Sequence, residues 1–423
     1  MEVPLVDFKG GDLRSRSAIL SPEPSFAHGS LSFEEMHINY PRLRRDSSVL
    51  EEHEILTSSG IHQRVYVQPS QSKRALITYH DIGTNHISFL GFFNLAEMRV
   101  ITKHFTVYHV CAPGHQENAA TENFDVPCTD TQDQSTLMDQ HKNEESNQTR
   151  RISSSTNTIA SYPSLDQLAE MLSSILVHFR IDNFVGFGMG AGSSVLSRYA
   201  LHHPEKILGL FLLNPTLTTH SYYQRFMFRW WEWSKMEQGC LSDSMLEQLD
   251  NHWFGYNLAE NEDVVRFYHE LARSLNSVNL AGYIYSFMNR TPLNLVRPVL
   301  ESTFPGETAS CTEPTVIRTD VCLVTGDRAT DLARNLAEMN GCMDPKCTQF
   351  ILIPDCTGMV MEENPLKLAL DFLHFLRSIG LVITLTPEKL HEQATALQIH
   401  RISCAYSVDP TDSPTRLDLI NEA

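Results

Sequence analysis

Short apolar segments alternate along the chain with longer stretches whose apolar residues recur every three or four positions. The short segments are rich in β-branched and aromatic residues and are bounded by turn residues, which is typical of strands. They cover residues 60–68, 74–83, 105–114, 183–186, 207–214, 321–327 and 349–354. Helical periodicity predicts helices at 94–103, 164–179, the stretch ending at His203, the segment between the last two strands, and 365–378.

Two of these helices carry clear start signals. Ser164 is predicted to be an N-cap, and Gln167 stands three positions later, where a capping box requires it. Pro365 stands at the first position of the last regular helix, where its missing N–H costs nothing.

Strands that alternate with helices predict an α/β fold with a parallel sheet covered by helices. The alternation stops over about 215–315, which is helical and aromatic, and then returns for two more strands. This order predicts an α/β-hydrolase-like, doubly wound and mostly parallel sheet, with a helical cap inserted before the last two strands. The folded domain is predicted to span 51–382.

Three segments lack the pattern of packed elements. Residues 1–50 are predicted to be a disordered leader, about 117–160 a polar disordered insertion, and 383–423 a flexible tail. The aromatic run at 226–233 is interpreted as core packing of the cap, with a protein-binding patch as the alternative.

Composition narrows the class of partner. The formal net charge of −18 argues against nucleic acid and anionic membranes, because such a surface repels phosphate. The longest apolar run, at 207–213, is too short to span a bilayer. Residues 1–10 lack the basic and apolar regions of a secretory signal peptide. Nine cysteines without a CxxC pair favour reduced thiols over disulfides, and over a zinc site formed by Cys342, Cys347 and Cys356. We therefore expect a cytoplasmic protein without metal or cofactor.

The segment FVGFGMGAGSS, residues 184–194, has three interpretations. Gly186, Gly188 and Ala191 fit a dinucleotide-binding fingerprint, but the following strand ends at Asn214 without the carboxylate that binds ribose. The same residues fit a nucleophile elbow, G-x-S-x-G, whose serine position would be Gly188, flanked by Gly186, Met189 and Gly190. The third interpretation, an elbow retained for packing, is favoured, because Gly188 has no side chain.

The two other positions of a catalytic triad also lack the required side chains. The acid is expected three residues after Gly326, at Ala329, and the base seven residues before Pro365, at Gly358. His80, Asp81 and Gly83 fall at the oxyanion loop, where a structural turn is favoured over a metal phosphohydrolase motif. Three simultaneous losses predict a scaffold without hydrolase activity. An enzyme with a displaced nucleophile, such as Cys356, Ser193 or Asp327, is the alternative.

Several separated blocks resemble the N-myc downstream-regulated (NDRG) family in the right order: HDIGTNHISFLGFFN, VYHVCAPGHQENA, SYPSLDQLAEM, VGFGMGAGSSVLSRYAL, LVTGDRATD and MDPKCTQF. The resemblance runs from about residue 51 to 381. It implies an α/β-hydrolase fold without hydrolysis, and a cytoplasmic role in signalling, growth arrest, differentiation or stress response through protein partners. The insertion at about 117–160 departs from the family, and the tail lacks the serine- and arginine-rich repeats of some members.

Family members are commonly phosphorylated, and two basic clusters suggest sites. R-x-R-x-x-S ends at Ser47, and R-R-x-S ends at Ser153. Both fall in segments predicted to be disordered, where a kinase can bind extended chain. The identity of the partners, and of any small molecule in a cap pocket, stays open.

Overall fold

The computed structural model describes most of the chain beyond residue 39. All described residues belong to one compact unit, Ile38–Ala423. Ser153, most of the predicted insertion and the aromatic run at 226–233 lie outside the described residues. The described ranges are 40–47, 49–122, 124, 161–217, 235–236, 238–298 and 315–406.

The centre of the fold is an eight-stranded sheet in the order β1-β2-β4-β3-β5-β6-β7-β8. β2 is antiparallel to β1 and to β4, and the pairs from β4 to β8 are parallel. The strands are β1 (Glu51–Leu56), β2 (His62–Gln68), β3 (Ala75–Tyr79), β4 (Thr106–Val110), β5 (Phe184–Met189), β6 (Ile207–Leu213), β7 (Val321–Gly326) and β8 (Thr348–Ile353).

The described helices fall into two groups. Three lie in sequence between β6 and β7, as a cap inserted before the last two strands requires: α6 (Asp243–Trp253), α7 (Glu262–Ser274) and α8 (Ser277–Met288). The others are α1 (Tyr40–Ser47), α2 (Ile87–Phe93), α3 (Ala96–Thr102), α4 (Leu165–Phe179), α5 (Ala191–His202), α9 (Thr330–Cys342), α10 (Val360–Glu363), α11 (Pro365–Ser378) and α12 (Pro387–Tyr406).

The local start signals work as the sequence predicts. Ser164 accepts a hydrogen bond from Gln167 N while the Gln167 side chain accepts one from Ser164 N, so α4 begins with a capping box. α11 has Pro365 in its first turn, and Asn364 caps it by accepting from Lys367 N. Both predictions are confirmed.

Four features differ from the sequence-based expectation. α1 forms inside the predicted leader, where Leu43 is buried, and α12 forms inside the predicted flexible tail, where Leu390 is buried. Apolar burial therefore orders parts of both segments.

The first residues of the predicted insertion are fixed by hydrogen bonds to α8. Asn279 Oδ1 accepts from Glu122 N, and Asn279 Nδ2 donates to Ala120 O. β1 was missed, since its sequence EEHEIL carries mostly polar residues.

Candidate functional site

The turn between β5 and α5 is made at Gly190. Its φ of 51° and ψ of −111° lie in a region that side chains rarely adopt. Gly188 lies two residues earlier, inside β5, and is absent from the described glycines with positive φ. The strained position of the elbow is therefore Gly190, whereas the sequence pattern assigns the nucleophile position to Gly188.

The glycines of this segment are packed against the chain itself. A Cβ on Gly188 would lie 2.7 Å from Ser193 Cα, and one on Gly186 would lie 2.6 Å from a Leu210 methyl carbon. A Cβ on Gly192 would overlap the carbonyl group of Tyr79 in β3. The glycines therefore allow α5 to pack closely against the strands.

The Asp81 carboxylate fills the space beside Gly190. A Cβ on Gly190 would overlap all three atoms of that carboxylate. Asp81 Oδ1 accepts hydrogen bonds from the backbone N–H of Ile82 and of Ala191, each at 2.8 Å. His252 Nε2 donates to the same carboxylate, at 2.9 Å from Oδ2. Asp81 and His252 are both buried, so solvent does not compete for these bonds.

His80 anchors the loop that carries Asp81. Its Nε2 accepts from Ala112 N at 2.9 Å, so Nδ1 carries the proton and donates to Asp81 O at 2.8 Å. Complete burial lowers the pKa of His80 to about 3, with a smaller contribution from His115 nearby. His80 is therefore a neutral structural side chain at physiological pH.

A four-residue segment of the cap, residues 252–255, covers the ends of the strands. Besides the bond from His252, Trp253 Nε1 donates to Ile82 O at 2.9 Å. Phe254 O accepts from Gly358 N at 2.8 Å. Gly255, the last residue of the segment, lies beside Ala329. A Cβ on Gly255 would be 3.0 Å from the Ala329 Cβ. One segment thus contacts the loop that carries Asp81 and also contacts Ala329 and Gly358, the predicted acid and base positions.

The space of a side chain at Gly358 is also occupied. A Cβ there would overlap the carbonyl oxygen of Trp253. Asn214 Nδ2 donates to Gly358 O at 2.8 Å, and Asn214 Oδ1 accepts from Thr325 Oγ1 at 2.7 Å. Hydrogen bonds from the cap and from the end of β6 therefore fix the loop at Gly358.

A buried carboxyl group lies under the cap on α10. Burial raises the pKa of Glu362 to about 8, and the O–H of Tyr268 in α7 donates to Glu362 Oε1 at 2.7 Å. The neighbouring Glu363 has a different role. Its Oε1 accepts from Thr357 Oγ1 at 2.8 Å, which holds the turn before Gly358.

Two of the three proposed displaced nucleophiles, Ser193 and Cys356, are poorly placed for chemistry. Ser193 is buried in α5 and its hydroxyl donates to Leu213 O at 2.8 Å. Burial raises the pKa of the Cys356 thiol to about 12, so the reactive thiolate is scarce at neutral pH. Over the described part of the chain, no group of three or more His, Cys, Asp or Glu side chains could hold a metal ion.

Two surface cavities lie elsewhere. One of about 270 Å³ is lined by residues that include Asp166, Glu170 and His202, and another of about 450 Å³ is lined by residues that include Arg99 and Lys103. None of their lining residues belongs to the elbow, to its loop or to residues 252–255.

The two candidate phosphorylation sites have different surroundings. Ser47 is the last residue of the helix α1, and its phosphorylation stays a prediction. Ser153 lies outside the described residues and stays a prediction. No helix in the described ranges is both long enough and apolar enough to cross a bilayer.

A protein-family model described as the Ndr family matches residues 52–137 and 151–383. This chain belongs to the Ndr family. It is 31% identical over 334 residues to protein NDRG3 of Xenopus laevis, an alignment that covers 78% of this chain and 76% of the relative. It is 29% identical over 362 residues to protein NDRG4-B of the same organism, covering 85% of this chain and 83% of the relative.

Solved structures show the fold of this Ndr-family chain. A hydrolase from Pseudomonas aeruginosa PA01 superposes with a TM-score of 0.52 and 16% identity, over 77% of this chain and 98% of that protein. The enol-lactonase from Burkholderia xenovorans LB400 gives a TM-score of 0.51 and 11% identity, over 77% and 100% of the two chains. The predicted α/β-hydrolase fold is confirmed. At these identities the likeness says nothing about activity.

Sequence reasoning missed the partners of Asp81. His252 stands 171 positions away in the cap, with no motif around it that indicates a contact. The N–H of Ala191 was missed as well, because a frame centred on Gly188 assigns the oxyanion-hole amide to Met189, the residue after the nucleophile position. In this Ndr-family chain the Ala191 amide is bonded to Asp81.

Proposed function

We propose that this Ndr-family protein is a non-catalytic member of the α/β-hydrolase fold and acts through protein partners. The observation that carries the proposal is the Asp81 carboxylate, which fills the space beside Gly190 and accepts hydrogen bonds from Ile82 N and Ala191 N. Acyl transfer in this fold requires a nucleophile, an oxyanion hole, and an acid and base.

The nucleophile is the first part. An elbow places its nucleophile on the strained turn between strand and helix. By that criterion the position is Gly190, in the frame Gly188-Met189-Gly190-Ala191-Gly192, two residues beyond the frame chosen from sequence. Glycine supplies no attacking atom, and Asp81 leaves no room for a serine side chain.

The oxyanion hole is the second part. In this fold it consists of the N–H after the nucleophile and an N–H from the loop after β3. Ala191 N and Ile82 N correspond to these two donors, and both are bonded to Asp81 Oδ1. A developing oxyanion would meet a carboxylate instead of free donors, so transition-state stabilisation is lost.

The acid and the base are the third part. We assign their positions to Ala329 and Gly358, and residues 252–255 of the cap lie against both. A base needs a side chain that reaches the nucleophile and an acid that orients it. Neither alanine nor glycine supplies one.

Activity measurements test this proposal. Purified full-length protein incubated with activated esters of several chain lengths is expected to give only background hydrolysis. Asp81→Asn and His252→Gln serve as matched variants, because Asp81 and His252 form the buried acid–base pair nearest the elbow. Turnover that persists through purification and disappears in either variant would overturn the proposal.

The biological role follows from family membership and stays part of the proposal. We expect a cytoplasmic protein in signalling, differentiation or stress response, with Ser153 phosphorylated after Arg150 and Arg151. A phosphate there would bring nearly two negative charges beside two arginines and change partner binding. Mass spectrometry of protein from its native cells, with Ser153 covered, would test the modification. A consistently unmodified peptide would contradict it.

A further inference from the structure

The two edges of the sheet differ in charge. β1 has the sequence EEHEIL, with three glutamates, and β8 has the sequence TQFILI, without a charged residue. β8 pairs with β7 in regular register over all six residues, and no other strand of the described ranges pairs with it. β8 therefore has none of the charges or bulges that usually protect an edge strand.

The hydrogen bonds to β7 identify the backbone groups that face outwards. Cys347 O accepts from Val321 N, and Ile353 O accepts from Asp327 N. Because backbone groups alternate along a strand, the odd-numbered residues of β8 bond to β7. The N–H and C=O of Thr348, Phe350 and Leu352 then point away from the sheet.

The side chains of the same residues supply an apolar surface. Gln349 Nε2 donates to Ser378 Oγ at the end of α11, so the odd-numbered side chains face α11. Phe350 and Leu352 face the opposite side and are 38% and 40% exposed. One row of residues thus combines outward-pointing backbone groups, which no described strand pairs, with exposed apolar side chains.

We propose that β8 pairs antiparallel with β8 of a second copy of this chain, about a two-fold axis at Phe350. In this register Phe350 lies opposite Phe350 of the second copy, and Thr348 lies opposite Leu352. Each pair would exchange both N–H···O=C bonds, because all these groups point outwards. Centring the axis on Ile351 would instead place Thr348 opposite Pro354, which has no N–H to donate.

The lack of charge on β8 allows a second copy at this edge, and two-fold symmetry favours it. Two chains that each carry a net charge of −18 repel one another, so like copies can approach closely only where the surface is uncharged. Thr348–Ile353 is such a surface, whereas pairing through β1 would bring glutamates together. A two-fold axis also lets one patch complement itself.

Sedimentation of the full chain tests the pairing. The wild type is expected to dimerise at micromolar concentration. Phe350→Pro removes an outward N–H without removing a bond to β7, and Phe350→Lys places charges at the axis. Both should weaken dimerisation at least about tenfold. Val177→Lys, at an equally apolar and 78% exposed position on α4, is the control and should leave the dimer intact.

Cysteine cross-linking tests the register. Hydrogen-bonded antiparallel partners have Cα atoms about 5.5 Å apart, which suits a disulfide. Phe350→Cys should therefore form a covalent dimer on mild oxidation, above the wild-type background from native cysteines. Thr348→Cys should not, because its opposite residue is Leu352.

Three results would overturn the proposal: a monomeric wild type, a dimer unaffected by both Phe350 variants although circular dichroism shows them folded, or equal cross-linking of both cysteine variants. These results are independent of ester hydrolysis, so failure here leaves the proposed lack of catalysis intact.

Discussion

The elbow and the β8 edge are both parts of one sheet, yet they present opposite surfaces. At the elbow, the Asp81 carboxylate accepts hydrogen bonds from Ile82 N and Ala191 N, the two amides that correspond to an oxyanion hole. The same carboxylate fills the space beside Gly190. At the β8 edge, Phe350 and Leu352 expose apolar side chains beside outward backbone groups. The Asp81 carboxylate thus fills the space at the elbow, whereas no strand of the described ranges covers the β8 edge.

This contrast separates two uses of the same scaffold. Filling the elbow with hydrogen bonds stabilises the folded state, since Asp81 satisfies two buried amides and a buried histidine. An open edge contributes little to stability and is available for association. Substitutions at the elbow should therefore change stability strongly, and substitutions at the edge should change it weakly.

The largest effect is expected from Gly190→Ser. The new side chain would adopt a strained φ and displace a carboxylate that three donors hold, so we expect a loss of about 4 kcal/mol in the free energy of unfolding. Denaturant unfolding measures the loss. No esterase activity should appear, because Ala329 and Gly358 supply neither acid nor base and Asp81 occupies the two oxyanion-hole amides.

Substitutions at two other glycines distinguish backbone strain from steric overlap as causes of this loss in stability. Gly60 has a φ of 78° and no heavy atom within 4 Å of a Cβ, so Gly60→Ser reports backbone strain alone. Gly188→Ser reports contact with α5 without positive φ. We expect about 1 kcal/mol for the first and about 2 kcal/mol for the second. A Gly190→Ser protein as stable as Gly60→Ser would show that Asp81 moves aside easily.

A smaller loss, about 3 kcal/mol, is expected from Asp81→Ala. The change leaves Ile82 N, Ala191 N and His252 Nε2 buried without their acceptor. Asp81→Asn should lose less, because an amide oxygen can still accept from both backbone groups. Chemical denaturation of the two variants gives the difference between their free energies of unfolding. Equal losses would indicate that the hydrogen bonds from Ile82 N and Ala191 N contribute little to stability.

The fold could be predicted from sequence to a large extent, because its signals are local. The capping box at Ser164 and the proline of α11 fix helix starts within a few residues, and apolar runs identify the parallel strands. β1 was missed because an edge strand with one buried side chain has no apolar pattern. Leu43 and Leu390, in α1 and α12, are buried against the fold, which local composition does not reveal.

The site was predicted less well, for two physical reasons. Glycines stand at every second position from 186 to 192, so the elbow pattern fits two frames. Only the backbone angle distinguishes Gly190 from Gly188. The contact between Asp81 and His252 joins the body to the cap across 171 residues, and spacing in the sequence carries no information about it.

A pH-dependent effect is expected from Glu362, which lies under the cap near the filled elbow. Its pKa is raised from 4.5 to about 8, so between these values the folded state binds the proton more tightly than the unfolded state. Stability from this group is therefore present at low pH and is lost as pH rises towards 8. Glu362→Gln stays neutral, so from pH 5 to pH 8 it should gain about 3 kcal/mol relative to wild type.

The measurement is denaturant unfolding at several pH values and constant ionic strength. Glu338→Gln, at an exposed position of α9, is the matched control and should follow the wild-type curve. Parallel curves for wild type and Glu362→Gln would mean that Glu362 ionises normally beneath the cap.

The smallest effect on stability is expected at the β8 edge. Leu352→Lys replaces a side chain that is 40% exposed and keeps every bond to β7, so the monomer should lose about 0.5 kcal/mol or less. The same change puts a charge opposite Thr348 of the second copy, and dimerisation should weaken. Denaturant unfolding at a concentration below dimerisation and sedimentation above it measure the two quantities separately. A large loss of monomer stability would show that β8 belongs to the core as firmly as the elbow does, and the contrast between the two regions would fail.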